Sequence, residues 1–190
     1  MALEDEFRKA KSPRIVYKGQ EIFLHHQVPV VDGRRLRVIV ESYDSNWGNL
    51  GQSEFREGVG LMIDKTIRVD DVSCQYLVLW PHDPPREQLQ PPYFELQEIE
   101  TGYYIKVPRD TISLWLHRPF EHAEFTCTTK DGHLHVWNVW NDGNVRHGID
   151  RRLNGAGMIV EKIEKGFRYR CNDGYPDEDF DDIVFRIELM

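Results

Sequence analysis

The sequence is short of cysteine, of long apolar runs and of positive charge, and each shortage removes a class of protein. Cys74, Cys127 and Cys171 are the three thiols in 190 residues, and no two are spaced as Cys-x-x-Cys. That excludes a disulfide framework, a zinc knuckle and a redox dithiol, and leaves free, buried thiols suited to a reducing compartment. A chain of this length buries roughly 70% of its unfolded surface and needs no such staple. No window approaches the roughly 20 apolar residues of a bilayer-spanning helix, and residues 1–14 are too charged for a secretory leader. The expected location is therefore the cytoplasm, with no membrane partner. Twenty-four Lys and Arg face 32 Asp and Glu, for a net charge of −8. Nucleic acid is not an expected partner, because its phosphates recruit proteins through clustered basic residues. Also missing are Gly-x-Ser-x-Gly, a P-loop, a dinucleotide fingerprint and a protease-type cysteine context.

Helix is scarce as well. Only residues 3–11 carry a helical pattern, and Pro13 stops it. The remainder alternates runs of Val, Ile, Tyr, Phe, Trp and Thr with turn dipeptides such as Asp32-Gly33, Asp131-Gly132 and Asp173-Gly174. Strands are expected near 14–18, 20–30, 34–42, 59–63, 65–70, 74–80, 92–98, 102–107, 111–117, 123–129, 133–140, 158–170 and 182–189. The segment 158–170 is expected to fold back at Glu164-Lys165-Gly166. With no amphipathic helix between strands, the pattern predicts an all-β antiparallel β-sandwich of the jelly-roll kind with a short N-terminal helix. Residues 1–190 read as one domain. The stretch 81–92 holds five of the ten prolines and is expected to be a surface loop, since proline cannot donate to a sheet ladder. A second irregular stretch, 141–157, is long enough to be a functional loop.

Strand alternation suggests a ligand platform. In residues 111–117, Ile112, Leu114 and Leu116 share one face, which leaves Ser113, Trp115 and His117 on the other. In residues 133–137, Leu134 and Val136 point inward, which groups His133, His135 and Trp137 outward. An indole beside hydrogen-bonding groups suits the apolar face of a sugar ring or a protein interface. The loop after Trp137 adds Asn141, Asp142 and Asn144. His133-x-His135 is also a metal-ligand spacing, and it resembles the paired histidines of cupin jelly rolls. The downstream glutamate and third histidine of that pattern are not found at suitable spacing.

The strongest local feature is the acidic turn before the last strand, where Asp177, Asp179, Asp181 and Asp182 crowd four carboxylates together. A hard divalent cation relieves such repulsion, and calcium accepts six to eight oxygens from short loops. Through Asp177 or Asp179, Phe180, Asp182, Val184 and Phe185, this stretch resembles the Asp-rich C-terminal segment of calcium-associated β-sandwich modules in bacterial adhesin-like proteins. Asp181 stands where that pattern usually has Asn. The resemblance implies calcium as cofactor, and with Trp115, Trp137 and the Asn/Asp loops the expected function is a non-catalytic, calcium-assisted binding module for carbohydrate. Two alternatives stay open: a cupin-like metal enzyme built on His133 and His135, and an acidic, immunity-type protein that binds another protein. The sequence specifies no oligomeric state.

Overall fold

The computed structural model describes residues 3–43, 57–72, 76–79, 96–99, 102–105, 109–116, 122–140, 156–173 and 177–190. One helix, α1 (Leu3–Ala10), precedes β1 (Arg14–Tyr17), β2 (Gln20–Phe23), β3 (His26–Pro29), β4 (Arg34–Tyr43), β5 (Glu57–Val72), β6 (Tyr76–Leu79) and β7 (Leu96–Ile99). There follow β8 (Gly102–Ile105), β9 (Arg109–Leu116), β10 (His122–Thr128), β11 (His133–Trp140), β12 (Gly157–Ile163), β13 (Gly166–Asn172) and β14 (Ile183–Leu189).

Helix α1 carries Glu4, Asp5 and Glu6 in its first turn and Arg8 and Lys9 in its last, the charge order that a helix dipole favours. It ends one residue earlier than expected because Lys11 adopts a left-handed φ of 51° while its N–H donates to the Phe7 carbonyl at 3.0 Å. Leu3 and Phe7 bury themselves against Ile15, Ile22 and Phe180, a small second core. β1 and β2 form a hairpin through Lys18 (φ 48°) and Gly19 (φ 81°), the pair of positive φ values that a two-residue loop needs to match strand twist.

The all-β antiparallel class and the N-terminal helix are as the sequence predicts. The strands form one hydrogen-bonded sheet curled into a half-barrel, in the order β1-β2-β12-β13-β14-β4-β10-β5-β11-β3, with β9 paired to β5 and β6 to β9. β7 and β8 form a separate pair. The curl has a local cause. β10 pairs with β5 at residues 66–72 and β11 pairs with it at residues 57–62, so two consecutive strands lie end to end along one long strand. Their junction falls beside Asp64, whose carboxylate accepts the Thr129 hydroxyl at 2.6 Å and the Lys130 N–H at 2.9 Å. Asp32 accepts the Thr129 N–H at 2.8 Å, which fastens the β3–β4 junction to the same corner. Sheets turn such corners through bulges and bends, and β5 shows its register shift here, between Met62 and Ile67.

Two strand boundaries therefore differ from expectation. The runs 59–63 and 65–70 are one bent strand, β5, and the run 20–30 is two strands, because β2 joins β12 while β3 joins β11. The hairpin at residues 164–166 is present, with Gly166 at φ 150°. Leu36, Val38, Leu61, Phe125, Trp137 and Tyr169 are among the residues filling the curl. No helix among the described residues is long and apolar enough to cross a membrane. The proline-rich stretch 81–92 lies outside the described residues.

Candidate functional site

The acidic turn connects β13 to β14, and backbone conformation sorts its side chains. Glu178 and Phe180 both take left-handed φ values, 57° and 59°, uncommon outside glycine and worth explaining. Both side chains anchor the N-terminal segment. Glu178 accepts the Leu3 N–H at 3.2 Å, the Tyr17 hydroxyl at 3.0 Å and the Lys18 ammonium at 2.7 Å. Burial works to raise its pKa, but the bonds from Lys18, Tyr17 and Leu3 outweigh burial and hold it below the usual carboxylate value. Phe180 fills the second core beside Leu3 and Phe7.

Three aspartates, one between these anchors and two flanking them, form a cluster. Carboxylate oxygens of Asp177, Asp179 and Asp182 lie within 4.8 Å of one another. Asp177 and Asp179 are exposed, whereas Asp182 is 3% exposed. Asp182 Oδ2 accepts the Asp173 N–H at 2.7 Å, and Asp173 is itself buried. The Asp182 pKa is pushed up to about 8, by burial first and next by the Asp173 charge, with Asp177 and Asp179 adding to it; the Asp173 N–H opposes the shift. The geometry thus holds a carboxyl that wants either a proton or a cation.

On the sheet, guanidinium groups neutralise the buried Glu124 and the half-buried Glu41. Glu124 on β10 accepts from Arg35 at 2.8 Å and from Arg37. Glu41 on β4 takes Arg168 at 2.7 Å and Arg186 at 2.8 Å. Among the described residues, no Lys or Arg forms an ion pair with Asp179 or Asp182.

Asp181 is a correction to the expected four-carboxylate set. It lies outside the cluster, exposed, with its backbone N–H donating to Asp179 Oδ1 at 3.3 Å. Asp173 is the residue the sequence did not single out; as the first residue of Asp173-Gly174 it was marked only as a turn residue. A buried chain of hydrogen bonds leads to it from β11: Asn138 Nδ2 donates to the Asn172 carbonyl at 3.0 Å, and Asn172 Nδ2 donates to the Asp173 carbonyl at 2.9 Å.

Trp137 is the second correction. It was expected on a solvent face with His133 and His135, and it is 1% exposed. Alternation holds over the first half of β11, but residues 137–140 are all buried, and the indole lies across Gly60 of β5, its cross-strand neighbour. A ring sealed in the core offers no stacking face. His133 is exposed, with its Nδ1 2.8 Å from the Asp131 carbonyl, while His135 is half-buried with its ring 5.8 Å from that of His25. The two imidazoles are thus engaged with different neighbours. The Trp115 backbone lies in β9, opposite Gly58 of β5 and Leu77 of β6. The Trp115 side chain, His117, Asn141, Asp142 and Asn144 lie outside the described residues. Cys127 is buried and its thiol is pushed up to about 12, by burial and then by the Asp70 charge, so it is a packing residue and not a nucleophile. Comparison with known protein families, curated proteins and solved structures found no match.

Proposed function

We propose that the chain is a non-catalytic binding module whose C-terminal acidic turn is completed by a divalent cation, with calcium as the best fit. The observation that carries this reading is the Asp177, Asp179 and Asp182 cluster around a buried carboxyl with no ion pair to it among the described residues. One oxygen from each carboxylate, completed by backbone carbonyls and water, would supply the hard oxygen ligands that calcium takes at a flexible geometry. The two anchors interleaved with the ligands, Glu178 and Phe180, fix the turn to α1 and β1, so a cation here would tie the chain's N-terminal segment to its last hairpin. The carbohydrate part of the expectation loses one of its two rings with Trp137 in the core, and the cation is what we carry forward.

The test is thermal unfolding in calcium chloride against sodium chloride of equal ionic strength, for the native chain and for Asp179→Asn with Asp182→Asn. Calcium at roughly a hundredfold excess over its dissociation constant stabilises by about 2.7 kcal/mol, which for a chain of this size is about 5–10 °C in Tm. Sodium supplies only screening. The double variant should respond equally to both salts; equal responses from the native chain would remove the site.

A further inference from the structure

The curled sheet has a seam, and an imidazole sits in it. β2 and β3 are joined by only Leu24 and His25, yet they belong to opposite ends of the strand order, β2 against β12 and β3 against β11. Backbone pairing on the β2 side is slight: Met158 opposite Phe23 is the one register pair between β12 and β2. Side chains must therefore hold the seam. His26, the first residue of β3, stands between Phe23 of β2 (centroids 5.5 Å, 75°) and Phe167 of β13 (4.7 Å, 67°), with Tyr169 5.7 Å away. Its Nδ1 lies 3.1 Å from the Tyr169 hydroxyl. Tyr169 is fully buried and stacks on Phe185 at 4.7 Å.

We propose that His26 and Tyr169 form a proton-operated latch: the neutral imidazole closes the half-barrel at the β3–β13 seam, and protonation in mildly acidic solution releases it.

Hydrogen-bond roles and charge set the direction of the switch. A neutral imidazole can accept the Tyr169 proton at Nδ1; an imidazolium can only donate there. Tyr169 would then have to reverse its hydroxyl inside the core, and among the described residues no second acceptor is within reach of it. A buried donor without an acceptor is destabilising, as is a charge in a half-buried aromatic setting. The π faces of Phe23 and Phe167 offset part of this. The surrounding charge does not. The titratable and charged groups around the latch are His25 on the same segment, His135 of β11 against His25, Tyr169 and Cys171 of β13, Arg14 over the Phe23 ring and paired with Glu21, and Lys162 of β12 in register with Phe167. No carboxylate contacts the His26 ring among the described residues. Burial, and then the neighbouring His25, hold the His26 pKa below the ordinary 6.5. The unfolded chain therefore takes up the proton first, and stability falls as pH drops from about 6.5 through the folded-state value.

The experiment is NMR titration of the histidine ring signals in the native chain, together with urea unfolding at pH 7.5 and pH 5.5 of the native chain, His26→Gln and Tyr169→Phe. His26 should titrate below 6.5, and the unfolding constant of the native chain should rise relative to that of His26→Gln on going from pH 7.5 to pH 5.5. The ratio to His26→Gln isolates the latch from every other titrating group, Asp182 included, and should change severalfold, up to tenfold for each pH unit by which the native pKa is depressed. Tyr169→Phe, which removes the hydroxyl that protonation would strand, should lose less stability relative to His26→Gln over the same pH step than the native chain does. A His26 pKa at or above 6.5, or a His26→Gln variant with the native pH dependence, would overturn the proposal. The NMR titration decides it on the native chain even where a variant fails to fold.

Discussion

Replacing Trp137 separates a core residue from a ligand platform with one stability measurement. The indole is 1% exposed and packs within the main core, so Trp137→Ala should cost about 3–5 kcal/mol. That corresponds to a fall in Tm of about 6–20 °C for a chain of this size. The cause can be tested from the other side of the contact. A methyl placed on Gly60 would lie 2.6 Å from Trp137 Cδ2, and closer still to Cε2 and Nε1, about 1 Å inside the carbon–carbon optimum. The backbone of β5 cannot retreat, since Gly60 is paired to Trp137 on one side and to Ser113 of β9 on the other. Gly60→Ala alone should therefore cost about 1–3 kcal/mol through overpacking. In the Trp137→Ala background the same methyl enters vacated space, so the double variant should be more stable than the sum of the singles by about 1–3 kcal/mol. Urea unfolding followed by circular dichroism gives all four values. Strict additivity, or a Trp137→Ala cost under about 1 kcal/mol, would refute the packing described and return Trp137 to the surface.

The acidic turn yields two further expectations. In chelator, Asp182→Asn keeps an oxygen for the Asp173 N–H and removes the buried charge. A folded-state pKa raised to about 8 means that deprotonation opposes folding, so native stability in chelator should decline as pH rises from about 5 to 8. Asp182→Asn should be flat over that range and more stable at pH 8, by up to about 5 kcal/mol, the linkage limit for a carboxyl moved from 3.8 to about 8; a destabilised variant in chelator would contradict the burial argument. Glu178→Ala removes the acceptor for Leu3, Tyr17 and Lys18 and should cost about 1.5–3 kcal/mol, the range for a hydrogen bond to a charged group. Limited proteolysis should then cut first near α1, and an unchanged cleavage pattern would detach Glu178 from that role.

Most strand positions among the described residues were legible because period-two alternation survives wherever one face is solvated, as in His133, Leu134, His135 and Val136. It failed at Trp137, where the curl covers both faces, and nothing in the run His-Leu-His-Val-Trp announces that. Gly60 is the trace such a contact leaves, but a glycine 77 positions upstream in sequence cannot be read as the floor of an indole without the β5–β11 register. The corner at Asp64 was invisible for a related reason: an acidic residue between two apolar runs signals a turn, and here it bends a continuous strand by accepting bonds from residues 129–131. Of the acidic turn, Asp177, Asp179 and Asp182 were legible from crowding alone. Asp173, which pairs its N–H with Asp182 from the other end of the turn, and the exclusion of Asp181 were not, and neither was the left-handed backbone at Glu178 and Phe180, a conformation that neither residue type advertises.

The central claim is a cation at Asp177, Asp179 and Asp182, and calcium titration by isothermal calorimetry at pH 7.5, on chain previously stripped with chelator, tests it most directly. The expected result is saturable binding of one calcium per chain, with proton release that grows as pH falls because Asp182 must give up its proton, and loss of that binding in Asp182→Asn. Heats indistinguishable from dilution in the native chain, or binding undiminished in Asp182→Asn, would contradict it.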